Sequence, residues 1–124
     1  MAAAPESFQM LVGSAATLYE SLRHGAVGAV IAVADAFPEL CVEIYQAAGQ
    51  GNAERARALQ EKLIAPGKVL GPQYGIPGLK YAMDRLGYYG GPARPPLMRL
   101  SDAARREIDA MLAGMSLAET VQQS

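Results

Sequence analysis

The chain has 124 residues, 51% of them hydrophobic and 19% charged, which suits one globular domain and is too apolar for a disordered tail. Eleven Lys and Arg against twelve Asp and Glu leave a net charge of -1 with no run of either sign, so the electrostatic footprint of a nucleic-acid or membrane-surface binder is missing. A single cysteine, Cys41, and a single histidine, His24, exclude an intramolecular disulfide and a Cys/His zinc scaffold.

Residues 1–7 carry Pro5 and Glu6 where a signal peptide needs a basic stretch and a long apolar core, and no window is long enough to span a membrane. The chain therefore reads as cytoplasmic. Residues 8–12 (FQMLV) form a short apolar run that stops at Gly13-Ser14, where the period changes, so a strand is expected to feed a helix. Ser14 is placed to cap that helix, over about 15–24, with Ala15, Leu18, Tyr19 and Leu22 on its inner face and Gly25 at its end. Residues 26–34 (AVGAVIAVA) do not alternate at all, which marks a strand covered on both faces, as in a parallel sheet. Pro38 suits the first position of a second helix with Leu40, Cys41, Ile44, Tyr45 and Ala48 inward, ending at 49–51.

Beyond this βαβα unit only helices are expected. Asn52 caps a third, with Ala56, Leu59 and Leu63 inward and a break at Pro66-Gly67. Pro77 opens a short fourth, with Leu79, Met83 and Leu86 inward and Gly87 after its end. Residues 88–96 (YYGGPARPP) form a turn-rich loop. Ser101 caps a last helix with Ile108, Met111, Leu112 and Met115 on its core face, and the chain after Gly114 is expected to fray. Two parallel strands cannot bury both faces of 26–34, because each retains an open edge. The sequence thus asks for further strands.

The stretch GSAATLYESLRHGAVGAVIAVADAFPEL followed by YGIPGLKYAMDRLGYYGGPARPPL resembles the C-terminal portion of the dihydrodipicolinate synthase and N-acetylneuraminate lyase family. The second part is most similar to its 4-hydroxy-2-oxoglutarate aldolase branch. That resemblance implies an α/β fold, the C-terminal part of a (β/α)8 TIM barrel. Residues 1–51 would supply the last two strand–helix units, with 8–12 as the seventh strand and 29–34 as the eighth, residues 52–115 a C-terminal helical extension, and 116–124 a frayed tail. It further implies a carbon–carbon lyase acting on a 2-keto acid through a lysine Schiff base, without a metal or cofactor, in an enzyme that is a homo-oligomer when complete. The lysine and its shuttle tyrosine belong to the sixth and fifth strands, so no catalytic residue is expected in this chain and the missing N-terminal part of the barrel becomes its partner. An iminium drains electrons from the developing carbanion, and its lysine must be desolvated to attack at neutral pH. Lys62, Lys68 and Lys80 lie on helices or after a break, where lysines are solvated.

Three positions are candidates for substrate binding. Gly13 and Ser14 sit at the C-terminal end of a strand, where barrels keep their active sites and a Gly-Ser turn presents free N–H groups to an anion. From the residues alone they also serve as a turn and a cap; the resemblance puts the glycine in the substrate pocket. Val30 matches the position whose backbone carbonyl lies near the keto acid, while its side chain reads as core. Asp35 is expected to cap the helix at Pro38, His24 to sit at a helix C-terminus, Cys41 to be a small core residue, Tyr88 and Tyr89 to pin the 88–96 loop, and Arg94 to tie it down. The contrasting expectation is a non-enzymatic α/β module that binds an anion or a partner through its strand edge.

Overall fold

A computed structural model describes residues 5–122. Its order is β1 (Leu11–Val12), a 3-10 turn (Ala15–Thr17), α1 (Leu18–Arg23), β2 (Gly28–Ala29), a second 3-10 turn (Ala32–Asp35), α2 (Pro38–Gly49), α3 (Ala53–Lys68), a π turn (Val69–Gln73), α4 (Gly75–Arg85) and α5 (Asp102–Gln122). The two strands pair in parallel, Leu11 with Gly28 and Val12 with Ala29. Both are shorter than their apolar runs, because a strand persists only where its backbone finds a ladder partner, and here each strand has one. The ladder extends through Val27 N–H to the Met10 carbonyl and Val30 N–H to the Val12 carbonyl, both 2.9 Å, and then stops. Residues 32–34, expected as strand, lie in the second 3-10 turn instead.

The helices follow their periodicity closely. Leu18 and Tyr19 of α1, Ile44 of α2 and Ala56, Leu59 and Leu63 of α3 are buried in one cluster with Val12, Ile31 and Val33. Leu70, Leu79, Ala82 and Ile108 make a second cluster joining the π turn, α4 and α5. Phe37 packs against both. Tyr45 and Leu86, expected inward, are exposed; each lies at the rim of its stripe, where one helical step decides between core and water.

Caps are mixed. Asn52 accepts from Arg55 N–H at 3.2 Å and Ser101 from Ala104 N–H at 3.2 Å, as their positions predict. Pro38 begins α2, but its cap position is Phe37, with no side-chain bond, so Asp35 does not cap it. Asp35 closes the preceding 3-10 turn instead, too early in the chain to meet the first turn of α2.

Pro66-Gly67 does not end α3. Proline forfeits a helical N–H, but the Pro66 ring is fully buried and offsets that loss by its packing. Gly67 lets α3 approach the first turn, since a Cβ there would stand 2.9 Å from that of Ala15. The helix then widens: Tyr74 N–H reaches the Val69 carbonyl, five residues back, at 3.0 Å, and α4 starts at Gly75 rather than at Pro77. Backbone helix continues to Gln122, past the fraying expected after Gly114; the remainder of the 116–124 tail, residues 123–124, lies outside the described residues.

Candidate functional site at the strand ends

Gly13, Ser14 and Val30 come together. The register that pairs Val12 with Ala29 sets Gly13 beside Val30, both just past the C-terminal ends of the parallel strands. A side chain added at Gly13 would meet nothing within 4 Å, so this turn faces open space. The Val30 side chain is 75% exposed, which corrects its reading as core: β2 has no neighbour on its second edge among the described residues. Met10, Leu11 and Val27 are exposed around the same ladder.

Ser14 departs from its expected role. It holds the cap position of the 3-10 turn in extended conformation, φ -122° and ψ 126°, but its hydroxyl makes no capping bond. Only its carbonyl serves, accepting from Thr17 N–H at 3.4 Å. A short 3-10 turn leaves fewer orphan donors than an α-helix start, so the hydroxyl is uncommitted. Ser14→Ala is therefore expected to lower the unfolding free energy from chemical denaturation by less than about 0.5 kcal/mol, against the roughly 1 kcal/mol that a capping hydroxyl would contribute.

Sequence reasoning missed the group that holds this turn. Gln60 of α3 accepts from Tyr19 N–H through Oε1 at 2.8 Å and donates from Nε2 to the Ala15 carbonyl at 2.9 Å. One amide thus satisfies a donor at the start of α1 and an acceptor in the preceding turn. The available signal was a polar residue interrupting the stripe of Ala56, Leu59 and Leu63.

The other singled-out residues serve structure. His24 is the C-cap of α1, its Nε2 2.9 Å from Glu20 Oε1, while Arg23 pairs with the same carboxylate at 2.5 Å. Hydrogen bonds from Arg23 and His24 hold the exposed Glu20 carboxyl down at about 2. The contact is thus complete above the ordinary carboxylate range and is lost as pH falls through the lowered value. Burial pushes the Cys41 thiol up to about 11, so its thiolate is scarce at neutral pH. Iodoacetamide is expected to leave Cys41 unmodified at pH 7.5 in the folded chain and to alkylate it in denaturant, with mass spectrometry as the readout.

Tyr89 is 85% exposed and Tyr88 is exposed too, so neither pins the 88–96 loop. Nor is Arg94 its tether. Lys80 Nζ donates to the Gly90 carbonyl at 2.7 Å, and Asp84 Oδ1 accepts from the N–H groups of Gly90 at 2.8 Å and Gly91 at 3.3 Å. Lys80 is thereby half-buried and engaged, contrary to its reading as a solvated lysine. Two clefts lie away from the strand ends, one between α4 and the 91–100 segment, the other between α2, α3 and α5. Among the described residues no cluster of three metal-binding side chains exists, and no helix is long and apolar enough to cross a membrane.

The family profile described as dihydrodipicolinate synthetase matches residues 1–115. The chain belongs to the dihydrodipicolinate synthetase family. It is 37% identical over 108 residues to a 4-hydroxy-tetrahydrodipicolinate synthase of Rhizobium meliloti, covering 86% of this chain and 37% of that protein. It is 38% identical over 107 residues to an uncharacterized DapA-like lyase of Halobacterium salinarum, covering 86% of this chain and 35% of the lyase. The chain thus spans little more than a third of the length of these curated relatives. Among solved structures, dihydrodipicolinate synthase from Bacteroides thetaiotaomicron superposes with a TM-score of 0.75 at 34% identity over 86% of this chain and 38% of its own. The Aquifex aeolicus synthase gives 0.82 at 26% identity over 91% and 39%. These neighbours are TIM-barrel enzymes, so the α/β chain shares the architecture of part of such a barrel.

Proposed function

We propose that this chain acts as the C-terminal portion of a 2-keto acid aldolase or lyase, contributing the last two strand–helix units (residues 1–51) and a helical extension (residues 52–115). The observation that carries this reading is the pair of parallel strands whose C-terminal ends bring Gly13 beside Val30 while both outer edges stay open among the described residues. In a closed barrel those ends face the active site, and edges of this kind are paired by neighbouring strands. Gly13 and Ser14 would offer N–H groups and the uncommitted hydroxyl to the keto acid's carboxylate, and the Val30 carbonyl would face its keto carbon. The iminium lysine and shuttle tyrosine would come from strands outside this chain, in an oligomeric enzyme of the cytoplasm.

The test is reductive trapping. Incubated alone with pyruvate and borohydride, the chain is expected to keep its mass, because its lysines are helical: Lys68 is exposed beside Glu107 and Lys80 is bonded to the Gly90 carbonyl. Co-expressed with the first six strand–helix units of the R. meliloti synthase, it is expected to form a soluble complex in which that partner alone gains one trapped pyruvate. An adduct on the lone chain, or a stable monomer with no affinity for the six-unit partner, overturns the reading, the latter in favour of a self-sufficient module.

A further inference from the structure

We infer that Gln60, on the helical extension, is a positioning residue for the substrate site: its amide clamps the turn that follows Gly13 and Ser14. The inference rests on the reading of those residues as keto-acid contacts. Three observations support it. Gln60 bonds at 2.8 and 2.9 Å to two backbone groups more than forty residues away, the Tyr19 N–H and the Ala15 carbonyl, which bracket the 3-10 turn. The turn's own hold is slight: the Ser14 hydroxyl caps nothing, the Thr17 N–H bond is long at 3.4 Å, and Leu18 N–H to the Ala15 carbonyl is its other internal bond. Two helical turns further along α3, Gly67 lets the helix backbone close on Ala15, so the same residue is gripped at two points.

An amide is required there. Oε1 must accept from Tyr19 while Nε2 donates to Ala15, and no single carboxylate or hydrocarbon does both. Gln60→Glu keeps the acceptor and removes the donor, setting an anion against the Ala15 carbonyl. Gln60→Leu removes both. The turn would then swing about Gly13, whose surroundings are open, and the Gly13 and Ser14 N–H groups would lose their fixed aim. A displacement on the order of 1 Å in a binding group is enough to cost about a hundredfold in rate constants.

Two measurements test this. In the 124-residue chain, amide exchange followed by NMR is expected to quicken at least tenfold at Thr17, Leu18 and Tyr19 in Gln60→Leu, with α4 amides unchanged; an equal change everywhere, or none, overturns the inference. In the co-expressed complex, Gln60→Glu is expected to raise KM for the keto acid about tenfold, well beyond its effect on kcat. Ile108→Val, a small loss of packing in the second cluster, should leave KM where it was. Gly13→Val separates the two readings. If it raises KM and Gln60→Glu does not, Gln60 does not position the site and the reading of Gly13 stands. If Gly13→Val leaves KM unaltered, the substrate-site reading fails and the inference fails with it.

Discussion

Gly90→Val is expected to undock the 88–96 loop and to destabilise the chain by about 3 kcal/mol, at the upper end for a single substitution. A Cβ at Gly90 would stand 2.0 Å from the Lys80 carbonyl oxygen and 2.6 Å from its carbon, both backbone atoms of α4 that cannot yield without bending the helix. The loop must therefore move, and three bonds go with it: Gly90 and Gly91 N–H to Asp84, and Lys80 Nζ to the Gly90 carbonyl. At roughly 0.5–1.5 kcal/mol net for each, and more for charged partners, their loss accounts for the figure. Asp84→Ala removes two of the bonds without the clash, so it should cost about half as much. Urea denaturation gives both values, and chymotrypsin cleavage after the exposed Tyr88 should accelerate in parallel. A Gly90→Val chain with unchanged midpoint and cleavage rate would show that the loop is not held through Gly90.

That anchor also marks how far the sequence could be read. Residues 88–96 announce a loop by composition, and the aromatic pair and Arg94 invite roles as its fasteners. The fasteners are a lysine and an aspartate on α4, because the loop approaches that helix at a glycine, and close approach is decided by a missing Cβ rather than by large side chains. Helix interiors were legible for the opposite reason: Ala56, Leu59 and Leu63, or Leu18 and Tyr19, repeat at helical spacing, and burial follows spacing. Strand lengths were not legible, since apolar runs at 8–12 and 26–34 record what a sheet could hold while pairing records what the chain supplies. At the candidate site, the strand-end positions of Gly13 and Ser14 were legible from the change of period, whereas Val30 came from the family resemblance and stood inside the 26–34 run. The Gln60 clamp was not, because its partners are backbone groups remote in sequence.

Ile108→Ala should have the other large effect, a loss of about 2–5 kcal/mol. Ile108 is completely buried, the one residue of α5 so placed among those described, and it packs with Leu70, Leu79 and Ala82 in the cluster that joins α5 to α4 and the π turn. Around it the contacts are polar and exposed or only partly buried: Glu107 with Gln73 and Tyr74, Asp109 with Tyr81 and Arg85, and Arg105 lying 5.8 Å above the Tyr81 ring. Exposed pairs contribute little each, so α5 is held chiefly by Ile108 and the half-buried Met111 and Leu112 beside it. Truncation to Ala leaves a cavity that neighbours on three elements cannot jointly fill. The loss should also reach the first cluster, because Phe37 packs against both and links the cluster beneath the strands to the one that joins the π turn, α4 and α5. Calorimetry of Ile108→Ala, Leu63→Ala and the double variant reads this directly. A single transition that falls in all three chains shows one cooperative unit in which the helical extension supports the strand ends. A split transition, in which the Leu63 cluster melts unchanged when Ile108 is cut, would show that α4 and α5 can come away while the Gly13 turn, held by Gln60 on α3, stays in place.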